Sequence, residues 1–134
     1  MWPPEIESVA ALVRAAGIEA RLEELPLTEV HPPAPAARAD AYECAGRIVV
    51  ALVPYGRDSD PSKVATLAGT GSARAAAVPA FPFGNAVRVL LERVLLAERI
   101  VWLKLPSQRH ILGLDPGELA RLTHAVAADL LQDG

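Results

Sequence analysis

Ile48-Val49-Val50-Ala51-Leu52-Val53 is an unbroken apolar run without a polar face. It is too short for an ordinary helix and lacks the alternation of a half-exposed strand, so it predicts a strand covered on both faces. Such a strand needs helices or a second layer packed on its sheet, and the flanking sequence supplies helices. On the N-terminal side Pro3 and Pro4 open a helix in which Ile6, Val9, Ala10, Val13 and Ala16 recur at helical spacing until Gly17. On the C-terminal side Asp60 stands as N-cap before Pro61 and starts a helix over 62–68, closed by Gly69 and Gly71. Asp115-Pro116-Gly117-Glu118 repeats this logic, with Glu118 placed to complete a capping box, and predicts a helix to His124.

Between these helices, residues 18–25 begin in apolar–polar alternation, as a strand does, and Pro26 ends them. Pro26, Pro32, Pro33 and Pro35 make a stiff loop, after which 36–42 reads as a short helix. Residues 77–84, Ala-Val-Pro-Ala-Phe-Pro-Phe-Gly, form a rigid apolar loop of the kind that carries function. Strands are predicted near 86–91 and 100–105 with a turn over 92–97, and 126–131 is a short last strand or a tail. No repeat or linker interrupts residues 1–134, which read as one α+β domain. Its core is expected to include Val9, Leu12, Leu22, Val64, Leu67, Val89, Val101, Leu119 and Leu122, with 48–53 as its most buried strand.

The net charge of −3 argues against binding that depends on neutralising many phosphates, and 4% aromatic residues leave little for base stacking. Arg88, Arg93, Arg99, Lys104 and Arg109 nevertheless cluster in one stretch, so a local basic face is allowed. A lone Cys44 excludes an internal disulfide and a multi-cysteine metal site, and reads as a small core residue in a reducing compartment. No apolar run approaches the roughly 18 residues of a membrane span, and the expected location is the cytoplasm. His31, His110 and His124 share no metal-binding spacing, and no metal or other cofactor is expected. Gly69-Thr70-Gly71-Ser72 lacks the lysine of a phosphate-binding loop and reads as a helix-ending turn. Ser107-Gln108-Arg109-His110 remains: a polar turn beside a strand, able to hold a carbonyl or phosphate oxygen, or a plain connector.

The order of pieces carries more than any one of them. The helix ending in Ala-Gly-Ile-Glu-Ala-Arg, the proline-rich loop, and Leu52-Val53-Pro54 followed by Asp60-Pro61-Ser62-Lys63-Val64-Ala65 come first. Val101-Trp102, Ser107-Gln108-Arg109-His110 and the segment Leu114-Asp115-Pro116-Gly117-Glu118-Leu119-Ala120-Arg121-Leu122-Thr123 follow. This arrangement resembles the YbaK/EbsC family, aminoacyl-tRNA editing domains related to the insertion domain of bacterial prolyl-tRNA synthetase. The resemblance implies a mixed, partly closed sheet or barrel with packed helices, and hydrolysis of the ester between a wrong amino acid and tRNA. In such domains a strand of the form Ile-Val-Lys-Ser-Leu, a Gly-x-x-x-Pro loop and a Gly-Ala-Gly-like turn define the pocket.

This chain departs from all three. Either Val50 stands where the lysine would be, or the lysine strand is largely deleted and 48–52 matches the next one. Ala75 and Val78 stand where glycine would precede Pro79 and Pro82, and Lys104-Leu105-Pro106 replaces the glycine turn. The resemblance therefore implies Lys104 as the catalytic cation, and Pro79, Pro82, Ser107, Arg109 and His110 as substrate-binding residues. Arg88, Arg93 and Arg99 are expected to contact tRNA. Two readings follow: a divergent deacylase of mischarged aminoacyl-tRNA, or an inactive relative that binds the tRNA acceptor end, a synthetase or a small aminoacyl-like ligand. Any ligand is expected between the 77–84 loop and the 104–110 turn.

Overall fold

The computed structural model describes residues 2–107 and 109–133. Helix α1 (Pro4–Ala15) begins on a proline, whose missing N–H costs nothing in a first turn, and buries Ile6, Val9 and Val13. Strands β1 (Ala20–Glu24), β2 (Ala36–Cys44) and β3 (Arg47–Pro54) follow. The helix expected over 36–42 is thus a strand. Its side chains alternate: Ala37 and Ala41 enter one core cluster, Tyr42 and Cys44 the other. Alanine masks this period, because it favours helices intrinsically yet is small enough to line a sheet. The β2–β3 hairpin closes through Ala45 and Gly46, both at positive φ (52° and 81°), the two-residue turn whose twist suits paired strands.

Helix α2 (Pro61–Ala68) is capped by the Asp60 carboxylate, which accepts from the Ser62 N–H, and ends on left-handed Gly69. Then come β4 (Arg74–Ala76), which the sequence did not disclose, β5 (Arg88–Glu92) and a 3-10 turn over Arg93–Ala97. Strands β6 (Val101–Lys104) and β7 (His110–Leu114), helix α3 (Pro116–Thr123) and β8 (Val126–Ala128) complete the order. At α3 the Asp115 carboxylate accepts from the Gly117 and Glu118 N–H groups, but Glu118 turns to Arg121 (2.7 Å). Only half of the expected capping box forms, because an ion pair one turn on competes for the glutamate.

The sheet runs β1-β7-β6-β2-β3-β5-β8, with β4 attached to β2. Pairs β2/β6, β3/β5 and β5/β8 are parallel and the rest antiparallel, so the sheet is mixed; its end strands β1 and β8 do not pair, and it stays open. Strand β3 sits inside it, with Val49 to Val53 at most 3% exposed. Val50 and Leu52 join the core under α1 and α3, while Val49, Ala51 and Val53 pack with Val64 of α2 and Leu130. Both faces of the strand are covered, as its composition requires. Of the expected core, Val9, Val64, Val89, Val101 and Leu119 are buried, and Leu12, Leu22 and Leu122 half-buried. Leu67 is instead exposed, because the short α2 turns Val64 and Ala65 inward.

The segment 126–131 is both strand and anchored tail. After β8 the Leu130 carbonyl accepts from the Asp60 N–H (2.7 Å), and the Gln132 N–H donates to the Asp58 carbonyl (3.0 Å). Glu92 is buried and fastens this return, accepting from the Val94 N–H (2.7 Å) and the Leu130 N–H (2.8 Å).

Candidate functional site

Strand β2 is the residue row from which the site is built. The Tyr55 N–H donates to the Ala36 carbonyl, while the Trp102 N–H donates to the Pro35 carbonyl. Even-numbered residues of β2 therefore turn their backbone groups to β3, and odd-numbered ones turn theirs to the opposite edge. On that edge Ala37 lies in the register with β6, and Ala41 and Glu43 in the register with β4. Ala39 falls between the two. Among the described residues no backbone or side-chain group pairs with its N–H or its carbonyl on that edge. The sheet is split there, with one amide and one carbonyl facing the gap.

The gap opens into a cleft of about 480 Å³, within the range of small-molecule sites. Ala37, Arg38 and Ala39 form one side, and Leu103, Lys104, Leu105 and Pro106 the other. Val78, Pro79, Ala80, Phe81 and Phe83 close it, with Tyr55 at the rim. The loop is shaped by buried aromatics: the rings of Phe81 and Phe83 meet edge to face with centroids 5.5 Å apart. Phe83 adopts φ of 80°, a costly conformation for a bulky residue, held by its buried ring. Lys104 ends β6 half-buried, and among the described residues nothing pairs with its ammonium. The 77–84 loop and the start of the 104–110 turn thus meet in one cleft.

Arg38 borders the cleft from the opposite face of β2. Its guanidinium grips Asp40 through two bonds (2.8 and 3.0 Å) and donates to the Arg57 carbonyl (2.7 Å). Asp40 also accepts from the Ser59 hydroxyl (2.6 Å), which in turn meets the Tyr42 hydroxyl (2.5 Å). Burial on its own raises the Asp40 carboxyl, but the bonds from Arg38 and Ser59 together with the Arg38 charge outweigh it, and its pKa is lowered. The same pairing with Asp40 raises that of Arg38. Sequence reasoning missed Arg38, Ala39 and Tyr55. The alternation of Arg38, Asp40 and Tyr42 with three alanines was the available signal.

Strand β2 lies directly before β3 in the chain and pairs with it antiparallel, and its third residue, Arg38, is basic. Val50 is fully buried in the core and does not line the cleft. Of the other expected site residues, Pro79 and Lys104 line the cleft; Pro82 is half-buried between the two phenylalanines. Ser107 and His110 stand behind the turn. The Ser107 oxygen accepts from the Arg109 and His110 N–H groups (3.2 and 3.1 Å) and lies 2.6 Å from His110 Nδ1. The hydroxyl proton then falls to Nδ1, leaving Nε2–H toward Glu24, 3.8 Å away, while the Trp2 ring packs edge to face on the imidazole. Arg109 donates to the carbonyls of Leu25 and Glu29 and so clamps the proline-rich loop. His31 Nδ1 ties that loop to Tyr55 at the cleft rim (2.7 Å). Gln108 lies outside the described residues.

The arginines expected to contact tRNA do not converge on one cleft. Arg88 donates to the Leu67 carbonyl (2.8 Å), Arg93 is exposed on the 3-10 turn, and Arg99 borders an open groove between Ile18 and Gly113. That groove is larger, about 910 Å³, but wide open and mixed in charge, with Arg21 and Arg99 facing Glu19, Asp115 and Glu118. Cys44 is buried. Among the described residues no cluster of acidic, histidine or cysteine side chains could hold a metal ion. Among them, too, no helix is long and apolar enough to cross a membrane.

No protein-family profile matches the chain, and no curated protein matches its sequence. Solved structures do. One, described as a candidate trans-editing enzyme for prolyl-tRNA synthetase, superposes with a TM-score of 0.82 at 19% identity, covering 99% of this chain and 100% of its own. A second, a protein of unassigned function, gives 0.79 at 18% identity, with 92% and 99% covered. The third, described as a candidate signal transduction protein of Marinobacter aquaeolei, gives 0.73 at 15% identity; the match covers 99% of this chain and 31% of that one. At these identities the likeness establishes the architecture, and the chain shares the single-domain α+β fold of these structures, with a mixed, open sheet.

Proposed function

We propose that the chain is a trans-acting deacylase that hydrolyses mischarged aminoacyl-tRNA in the cleft at the β2 gap. One observation carries the reading: a cleft of mixed lining in which the strand amide of Ala39 and the ammonium of Lys104, both without a partner among the described residues, lie together. The similarity to a structure described as a candidate trans-editing enzyme supports the choice of substrate. An aminoacyl ester is already activated, so its hydrolysis asks mainly for positioning and for stabilisation of the oxyanion. Water adds to the ester carbonyl carbon, and the Lys104 ammonium offsets the charge that develops on oxygen. The bond from that carbon to the ribose oxygen then breaks. The ribose oxygen takes up the proton that water gives, and free amino acid and uncharged tRNA leave. Pro79 and Pro82 shape the loop that closes the cleft, and Ser107 with His110 fixes the turn that presents Lys104. Arg88, Arg93 and Arg99 contribute weak, salt-sensitive phosphate contacts outside it.

The second reading, a non-catalytic module that holds the tRNA acceptor end, a synthetase or a small aminoacyl-like ligand, has its own supporting observation. Among the described residues no carboxylate or imidazole lines the cleft, and Arg38 is committed to Asp40 and Arg57. The test is release of free amino acid from alanyl- or cysteinyl-tRNA for proline by the purified protein. Slow release above the spontaneous rate is expected, abolished in Lys104→Ala and unchanged in Cys44→Ala. Loss of a charge-stabilising donor typically costs on the order of a hundredfold to a thousandfold. Binding without release selects the second reading, and a rate that survives Lys104→Ala refutes the role given to that residue.

A further inference from the structure

We infer that Ala39 reads the aminoacyl group as though it were the missing residue of a neighbouring strand, which makes the site selective for a free α-amine and for the L configuration. The inference rests on the deacylase reading and says which aminoacyl esters that site accepts. In an antiparallel ladder, two residues opposite each other in a hydrogen-bonded pair exchange both of their bonds. Ala39 presents both halves of such a pair, an N–H and a carbonyl, at a gap whose neighbours are already taken by β6 and β4. An aminoacyl ester carries the complementary groups at the same spacing as a peptide residue. Its α-ammonium donates to the Ala39 carbonyl, and its ester carbonyl oxygen accepts from the Ala39 N–H. The second bond places a donor on the oxygen that becomes the oxyanion.

The pairing also fixes handedness. Opposed residues of an antiparallel pair project their side chains to the same face. The Ala39 methyl packs against the core cluster that holds Phe81, Phe83, Leu103 and Leu105, so an L side chain enters an apolar wall. A D residue held by the same two bonds turns its side chain to the other face, where Arg38 and Asp40 are locked together. An N-acylated group loses the ammonium and places its acyl carbon where the Ala39 carbonyl must approach.

The probes are the L-alanyl, N-acetyl-L-alanyl and D-alanyl amides of 3′-amino-3′-deoxyadenosine, which cannot be hydrolysed as esters, titrated calorimetrically. Removing a charge-assisted bond costs about tenfold to a hundredfold in affinity. The N-acetyl and D probes are therefore each expected to bind at least about tenfold more weakly than the L-alanyl probe. Ala39→Pro deletes the N–H at a position where the ladder does not use it, and with its unfolding midpoint retained it should bind the L probe correspondingly less well. Equal affinity for the N-acetyl and L-alanyl probes overturns the inference and leaves the deacylase reading standing, as does equal affinity for the D probe. Failure of all three probes to bind overturns both.

Discussion

Replacing Asp40 by asparagine keeps the shape of the side chain and removes its charge, and so isolates what the Arg38–Asp40–Ser59 network contributes. The carboxylate accepts three bonds, two from Arg38 (2.8 and 3.0 Å) and one from Ser59 (2.6 Å). The side chains of Arg38 and Asp40 are 31% and 25% exposed. A fully exposed pair contributes about 0–1 kcal/mol and breaking a buried one costs about 3–5 kcal/mol. The amide of Asp40→Asn would keep one acceptor oxygen, so a loss of about 1–2 kcal/mol is expected at neutral pH. For a domain of this size that lowers the unfolding midpoint by roughly 3–10 °C. The dependence on pH has a definite sign. Because the folded carboxyl binds its proton less tightly than an ordinary aspartate, whose pKa is 3.8, its contribution is complete above that pH. It is lost as pH falls through the lower, folded value. Urea unfolding of both proteins across pH should therefore show a gap at pH 7 that closes in acid. A gap of the same size at pH 7 and at about pH 2.5, or none at pH 7, would contradict a carboxylate held ionised by Arg38 and Ser59.

Glu92→Ala leaves two N–H groups without their acceptor, that of Leu130 buried and that of Val94 on the more exposed 3-10 turn. At about 1–3 kcal/mol for the buried one, a clear fall in the urea midpoint is expected, and an unchanged midpoint would show that water replaces the carboxylate. A methyl group at Gly113 would come within 2.6 Å of the Trp102 ring. Gly113→Ala should cost about 1–3 kcal/mol and alter the near-ultraviolet dichroism of the indole; an unaltered spectrum counts against that packing. Arg109→Ala removes the clamp on Leu25 and Glu29, so limited proteolysis should cut the 26–35 loop faster while the global midpoint moves little. Unchanged cleavage contradicts the clamp.

The buried strand, the capped helices and the loop at 77–84 were legible because each rests on a local signal: an unbroken apolar run, an aspartate before a proline, paired prolines and phenylalanines. Strand β2 was not, since alternating alanines satisfy a helix and a strand equally, and only the hydrogen-bonded neighbours decide. That one misreading removed Arg38 and Ala39 from view as residues lining the cleft. Strand β4 is three residues long and has no periodicity to find. The roles of Arg109 and His110 were hidden for another reason. Their partners, Leu25, Glu29 and Glu24, are far away in sequence and brought close by the β1–β7 pairing. That Lys104 and Pro79 line one cleft was legible because both flank strand ends or rigid turns, where loops gather around clefts.

If the aminoacyl end sits in the β2 gap, amide NMR of the protein titrated with the L-alanyl amide of 3′-amino-3′-deoxyadenosine locates it residue by residue. Shifts are expected to concentrate at Ala39, Ala80, Phe83 and Leu105, with the Ala39 N–H moving most. Shifts confined to the open groove around Ile18, Arg99 and Gly113, with the Ala39 amide unmoved, would contradict binding at the gap.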